Sequence, residues 1–302
     1  MKNRLNIILL SLVMQIVVYA KDAPKNYPDG EVGKMVKLGE EIINNTNTHP
    51  LTKELLETQL TCKNCHLPGK DGKTGTTDNI GTFIGTAAAF PSYSSRHKRI
   101  QTMQERIDGC FLRCMNGKES IIGTKAGLAM SAYIAWLSTG EPMKMNTKGP
   151  RSHKITKEWE TNTKKFAKLA KVATHDNYLN GKKLYAKKCA LCHGKSGEGV
   201  NGKIPLWGRD NDGKWRSYGA DGSMSKLHNS ATWIQSNMPP APQNTMSDND
   251  TMDITIFINA HQRASYKGFT IEDNYKQFGL NMQEIKEGNS TFMKIYDEND
   301  QI

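Results

Sequence analysis

Cys62-Lys63-Asn64-Cys65-His66 and Cys189-Ala190-Leu191-Cys192-His193 are the two stretches that decide how this chain folds. Each is a Cys-x-x-Cys-His motif. Two thiols at this spacing add to the two vinyl groups of a haem, and the adjacent histidine reaches the iron. Cys62, Cys65, Cys189 and Cys192 are therefore the expected attachment points of two covalently bound c-type haems. His66 and His193 are the expected proximal iron ligands. A lone match can be a redox or zinc pair beside a chance histidine. Two matches in one chain, each followed by a candidate distal ligand, argue against that.

Working outward, each motif sits in the order helix, motif, irregular loop, distal ligand, helix. Before the second motif, Asn180 to Lys188 reads as helical; Asp250 to Ala260 closes that module with Met252, Ile254, Ile256, Phe257 and Ile258. Before the first, Leu38 to Leu60 offers candidate helices. After it come Glu105 to Asn116 and Gly127 to Leu137, the latter with an apolar stripe at helical spacing. Gly81 to Tyr93 reads as a loop over the haem edge. The expected fold is mainly α, with two class I cytochrome c-type domains joined by a long basic linker. The divisions are 1–20 as export signal, 21–148 and 176–262 as the two domains, 149–175 as a partly helical surface linker, and 263–302 as a polar tail.

The signal reading rests on Lys2 and Arg4, an apolar run from Leu5 to Val18, and Val18-Tyr19-Ala20 as a cleavage site. The run is shorter than the roughly 20 residues that a spanning helix needs. The expectation is a periplasmic chain with no stable membrane span. Its formal charge is +11, or +9 without Lys2 and Arg4. No basic patch with interleaved aromatics accompanies that charge, so nucleic acid is not an expected partner. An anionic membrane, an acidic protein or a small anionic substrate remains, beside the reading that the charge only tunes solubility.

Met238-Pro239-Pro240 lies 45 residues after His193 and makes Met238 the candidate distal ligand of the second haem, ahead of Met224 and Met246. A thioether favours ferrous iron and raises the potential. No Met-Pro follows His66 at that distance. Cys110 stands 44 residues on instead, with His97, Met103, Met115 and Met130 as rivals. A thiolate ligand would lower the potential, and Arg106 and Arg113 nearby would favour its charged form. The alternative is a Cys110–Cys114 disulfide. The pair shares a helix face, but regular helical geometry rarely permits the required dihedral.

The run Arg106-Ile107-Asp108-Gly109-Cys110-Phe111-Leu112-Arg113-Cys114-Met115-Asn116-Gly117 resembles the thiosulfate dehydrogenases of the TsdA type, and Phe90-Pro91-Ser92-Tyr93-Ser94 with Arg96 fits as well. The likeness runs from about residue 35 to 262. It implies that Cys110 is the distal ligand of the first haem and that thiosulfate and tetrathionate interconvert there. It implies Arg96 and Arg106 as substrate-binding residues. The second haem would relay electrons to or from a periplasmic c-type cytochrome or another carrier. Cys114 departs from the family's usual serine. Asn237 stands where some members carry a ligand-switching lysine, so plain His193/Met238 ligation is expected. The competing reading is a non-catalytic di-haem electron carrier, which needs neither Cys110 nor the arginines.

Overall fold

The computed structural model describes residues 23–144, 156–242 and 245–276; the expected export signal and the end of the tail lie outside them. In the first half the elements are α1 (Gly30–Asn44), a hairpin of β1 (Ser92–Ser94) and β2 (Arg99–Gln101), α2 (Met103–Arg113) and α3 (Lys125–Leu137). The second half holds α4 (Thr156–Ala170), α5 (His175–Lys188), the short α6 (Ala190–His193), α7 (Leu227–Asn237), α8 (Asp248–Asn259) and α9 (Ile271–Lys276). Helix starts are set by short polar side chains that accept otherwise unpaired backbone N–H groups. Thr102 accepts from Glu105 at 3.3 Å, Thr124 from Gly127 at 3.2 Å and Ser247 from Asp250 at 3.1 Å.

Each half is organised by one close helix crossing, and a glycine sits at each. A Cβ on Gly39 of α1 would lie 2.0 Å from the Ala129 carbonyl oxygen of α3, and one on Gly181 of α5 would lie 2.0 Å from that of Asp253 on α8. Around the first crossing pack Val36, Ile42, Ile43, Met130, Tyr133 and Ile134; around the second, Tyr178, Tyr185, Ile254 and Phe257. A buried tyrosine in each half ties its helix to the loop after the haem motif. The Tyr133 hydroxyl donates to the Thr74 carbonyl and that of Tyr185 to Gly194, both at 2.9 Å.

The structure redraws three sequence expectations. Before the first motif the helix is Gly30–Asn44, not a run over Leu38–Leu60. Thr46 Oγ1 donates to the Ile42 carbonyl at 2.9 Å and Asn45 Nδ2 to that of Glu41 at 3.0 Å, which takes up the last carbonyls and ends the helix. Leu56 and Leu60 reach the core from non-helical backbone. The lysine-rich stretch read as a surface linker contains α4, whose Phe166 and Ala170 are fully buried in the second core, with Leu169 and Ala173 beside them. These four residues repeat at helical spacing, so few apolar residues suffice to dock the helix. Ile271 and Tyr275, in the stretch read as tail, also enter that core.

The halves meet around the first haem motif. From the second half, Tyr218 joins the first core, Gly219 donates its N–H to the Cys114 carbonyl at 2.9 Å, and the Gln59 N–H donates to the Trp215 carbonyl at 3.0 Å. On α7, Trp233 Nε1 donates to the Cys65 carbonyl at 2.9 Å, and Asn237 Nδ2 donates to that of Ile80 at 2.9 Å. Trp233→Phe keeps an aromatic ring, though a smaller one, and removes one such bond. It is expected to cost about 1 kcal/mol, measurable as a fall in Tm of roughly 2–4 °C.

Candidate active site at the first haem motif

A cavity of about 540 Å³ opens against Cys62, Cys65 and His66. His66 is oriented by Nδ1, which lies 2.7 Å from the Gly81 carbonyl, and by Phe83, stacked at 4.1 Å between ring centroids. Nε2 is left for a ligand bond, the usual arrangement for a metal-binding imidazole. The second motif repeats this: His193 Nδ1 lies 2.7 Å from the Ile204 carbonyl. Cavity size, paired thiols and pre-oriented histidines fit covalently attached haem.

Helix α2 presents Arg106, Cys110 and Arg113 to this cavity, at i, i+4 and i+7, so they share one face. No disulfide joins Cys110 to Cys114. Burial pushes the Cys62 thiol up to about 11 and that of Cys65 to about 12. Cys110 goes the other way, well below the ordinary thiol value. A hydrogen bond from the Cys114 thiol is the main cause, and the Arg106, His66 and Arg113 charges add to it against the effect of burial. Cys114 is raised, mainly by its hydrogen bond to Cys110 and by burial. Beside Cys110 the Arg106 guanidinium is held fully charged. It makes no hydrogen bond to protein among the described residues.

Arg96 sits in the turn of the β1–β2 hairpin and also lines the cavity. Its Nη1 lies 2.6 Å from Asp221 Oδ1, a residue of the second half. Among the rivals to Cys110, Met103, Met115 and Met130 line the cavity and His97 does not; Met115 and Met130 are core residues. Met224, a rival at the second haem, packs instead on the first core and lines the first cavity. Met238 caps the C-terminus of α7 and packs on the second core, where Met246 is buried. Reading the sequence did not single out Asp221, Lys226 and Trp233. They lie more than a hundred residues from Cys110, with no motif to mark them.

A thiosulfate dehydrogenase of Allochromatium vinosum is 30% identical over 246 residues, which cover 80% of this chain and 82% of that protein. The chain belongs to the thiosulfate dehydrogenase family. Another family member, from Psychrobacter arcticus, is 32% identical over 76% of this chain and 64% of its own length. Residues 52–143 match the SoxA/TsdA cytochrome c domain, and 176–258 match the cbb3-type cytochrome c oxidase subunit III family. A solved thiosulfate dehydrogenase (TsdBA) of Marichromatium purpuratum, in its as-isolated form, superimposes with a TM-score of 0.66 at 30% identity. The alignment covers 86% of this chain, which spans about half (54%) of that longer one. The chain is thus a mainly helical protein of two cytochrome c domains that carries two c-type haems, and Cys110 lies in the domain of SoxA/TsdA type. Among the described residues no helix is long and apolar enough to cross a membrane.

Proposed function

We propose that this chain interconverts thiosulfate and tetrathionate in the periplasm, two thiosulfates giving one tetrathionate and two electrons. The observation that carries the reading is the placement of Cys110 in one cavity with His66 and Arg106, which makes no hydrogen bond to protein among the described residues. In this reading His66 and Cys110 hold the first iron, and His193 and Met238 hold the second. Each haem, when bound, takes or gives one electron, so the pair matches a two-electron reaction and connects it to an external carrier such as a c-type cytochrome. Arg106 and Arg96 bind sulfonate oxygens, for which the guanidinium fork is suited.

Cys110 also supplies the covalent chemistry. In the reducing direction Cys110 first gives up its place as an iron ligand, and its freed thiolate attacks a sulfane sulfur of tetrathionate. The central S–S bond breaks, its electron pair leaves with one thiosulfate, and a Cys110–S–S–sulfonate remains. Two electrons then cleave the new bond, which restores the thiolate and releases the second thiosulfate. Oxidation runs the same steps backwards. Thiosulfate should reduce the haems of the oxidised protein, and tetrathionate should reoxidise them; neither response would sink the reading. Arg106→Gln is expected to raise the KM for both substrates about 10–100-fold, the loss of one charge-assisted hydrogen-bonding group. Export is checked by mass: the mature chain should begin at Lys21.

A further inference from the structure

Joining two thiosulfates brings two dianions together, and Arg106 beside Cys110 can serve only one of them. We propose a second dianion subsite, built across the two halves of the chain by Arg96, Arg113 and Lys226, with Lys226 as the residue that completes it. This inference rests on the thiosulfate–tetrathionate reading above. All three cations line the cavity that contains Cys110, whereas Asp221 does not. Asp221 instead stands behind the arginines as a clamp. Its Oδ1 lies 2.6 Å from Arg96 Nη1 and its Oδ2 3.7 Å from Arg113 Nε. One carboxylate thus fixes two guanidiniums that arrive from separate elements, the hairpin turn and α2.

Lys226 enters from the N-terminal end of α7. It is half-buried and makes no ion pair among the described residues. Its ammonium is disfavoured by burial and then by Arg96 and Arg113, with Asp221 opposing. A lysine kept in such a place is costly unless an anion joins it. Three cations against one carboxylate leave two positive charges, the charge of one dianion. On α2, Arg106 stands about one turn before Cys110 and Arg113 of the Lys226 cluster about one turn after it. Each subsite offsets one dianion, and this is the requirement for bringing the two sulfane sulfurs into contact.

The test uses the holoprotein and its Lys226→Gln variant. Cys110 attacks tetrathionate without needing electrons, so both proteins also carry Cys110→Gly in the calorimetric titration with oxidised haems, which then reads binding without reaction. The expected result is binding about tenfold or more weaker in Lys226→Gln. In turnover the KM should rise by a similar factor with kcat changed less than about twofold, Lys226→Arg should restore most of it, and the first-haem potential should not move. Equal tetrathionate binding with and without Lys226→Gln in that background would overturn the subsite. So would a shifted first-haem potential with unchanged binding, which would make Lys226 a counter-ion of the haem carboxylates. Weakened binding in the variant of a wild type that turns over neither substrate would keep the subsite and remove the functional reading.

Discussion

Cys110→Gly is expected to lower thiosulfate oxidation and tetrathionate reduction together by roughly 10³-fold or more, the scale seen when a reacting group is removed from a site that otherwise stays intact. Both haems should remain attached, because Cys62, Cys65, Cys189 and Cys192 are untouched. The fold should persist as well. Cys110 lies in the middle of α2, and glycine in a helix interior costs about 1 kcal/mol or less relative to other residues. The two activities must fall together, since the same sulfur serves both directions. The spectrum of the first haem should change and that of the second should not. A variant with unchanged turnover would remove Cys110 from the chemistry and favour a plain electron carrier. Cys114→Ser is the informative companion. A serine hydroxyl can still donate to Cys110, so activity is expected to stay within about threefold of wild type.

The second large effect concerns folding. Gly39→Val places a side chain 2.0 Å from the Ala129 carbonyl oxygen and 2.9 Å from Tyr133 Cβ. Backbone stands on both sides of the contact, so relief requires α1 and α3 to part. Overpacking of this kind costs ~3 kcal/mol or more, a large share of the roughly 5–15 kcal/mol that holds a typical domain together. Because α1 and α3 frame the first core only, haem content should fall from two per chain toward one, with the second haem retained. Gly181→Val should do the reverse, since a Cβ there meets Asp253 O at 2.0 Å and the Phe257 side chain at 3.1 Å. Haem stoichiometry and denaturant midpoints check both. Equal loss of both haems in each variant would show that the halves fold as one unit instead.

The local chemistry of this chain was legible in its residues. Cys-x-x-Cys-His specifies its own reaction with haem, so the two motifs alone announced two cytochrome c domains. Arg106, Cys110 and Arg113 were legible as a group because helical periodicity places them on one face whatever surrounds them. Hairpin β1–β2 went unread, since strands of three residues carry too little alternation to register. The docking of α4 was hidden for a related reason: its apolar stripe is only four residues among many lysines.

What no local pattern could supply is the convergence of the two halves on the first cavity. Asp221, Lys226 and Trp233 gain their meaning from Arg96, Arg113 and Cys65, each more than a hundred residues away in the chain. Such contacts depend on how two separately built cores pack, and side-chain charge and shape at the interface decide that only after both cores exist. The sequence by itself determined two haem domains of unequal character. Tertiary structure decided that the first site is walled by both, because packing of the two cores brings Met224, Lys226 and Trp233 of the second half into the lining of the cavity that contains Cys110.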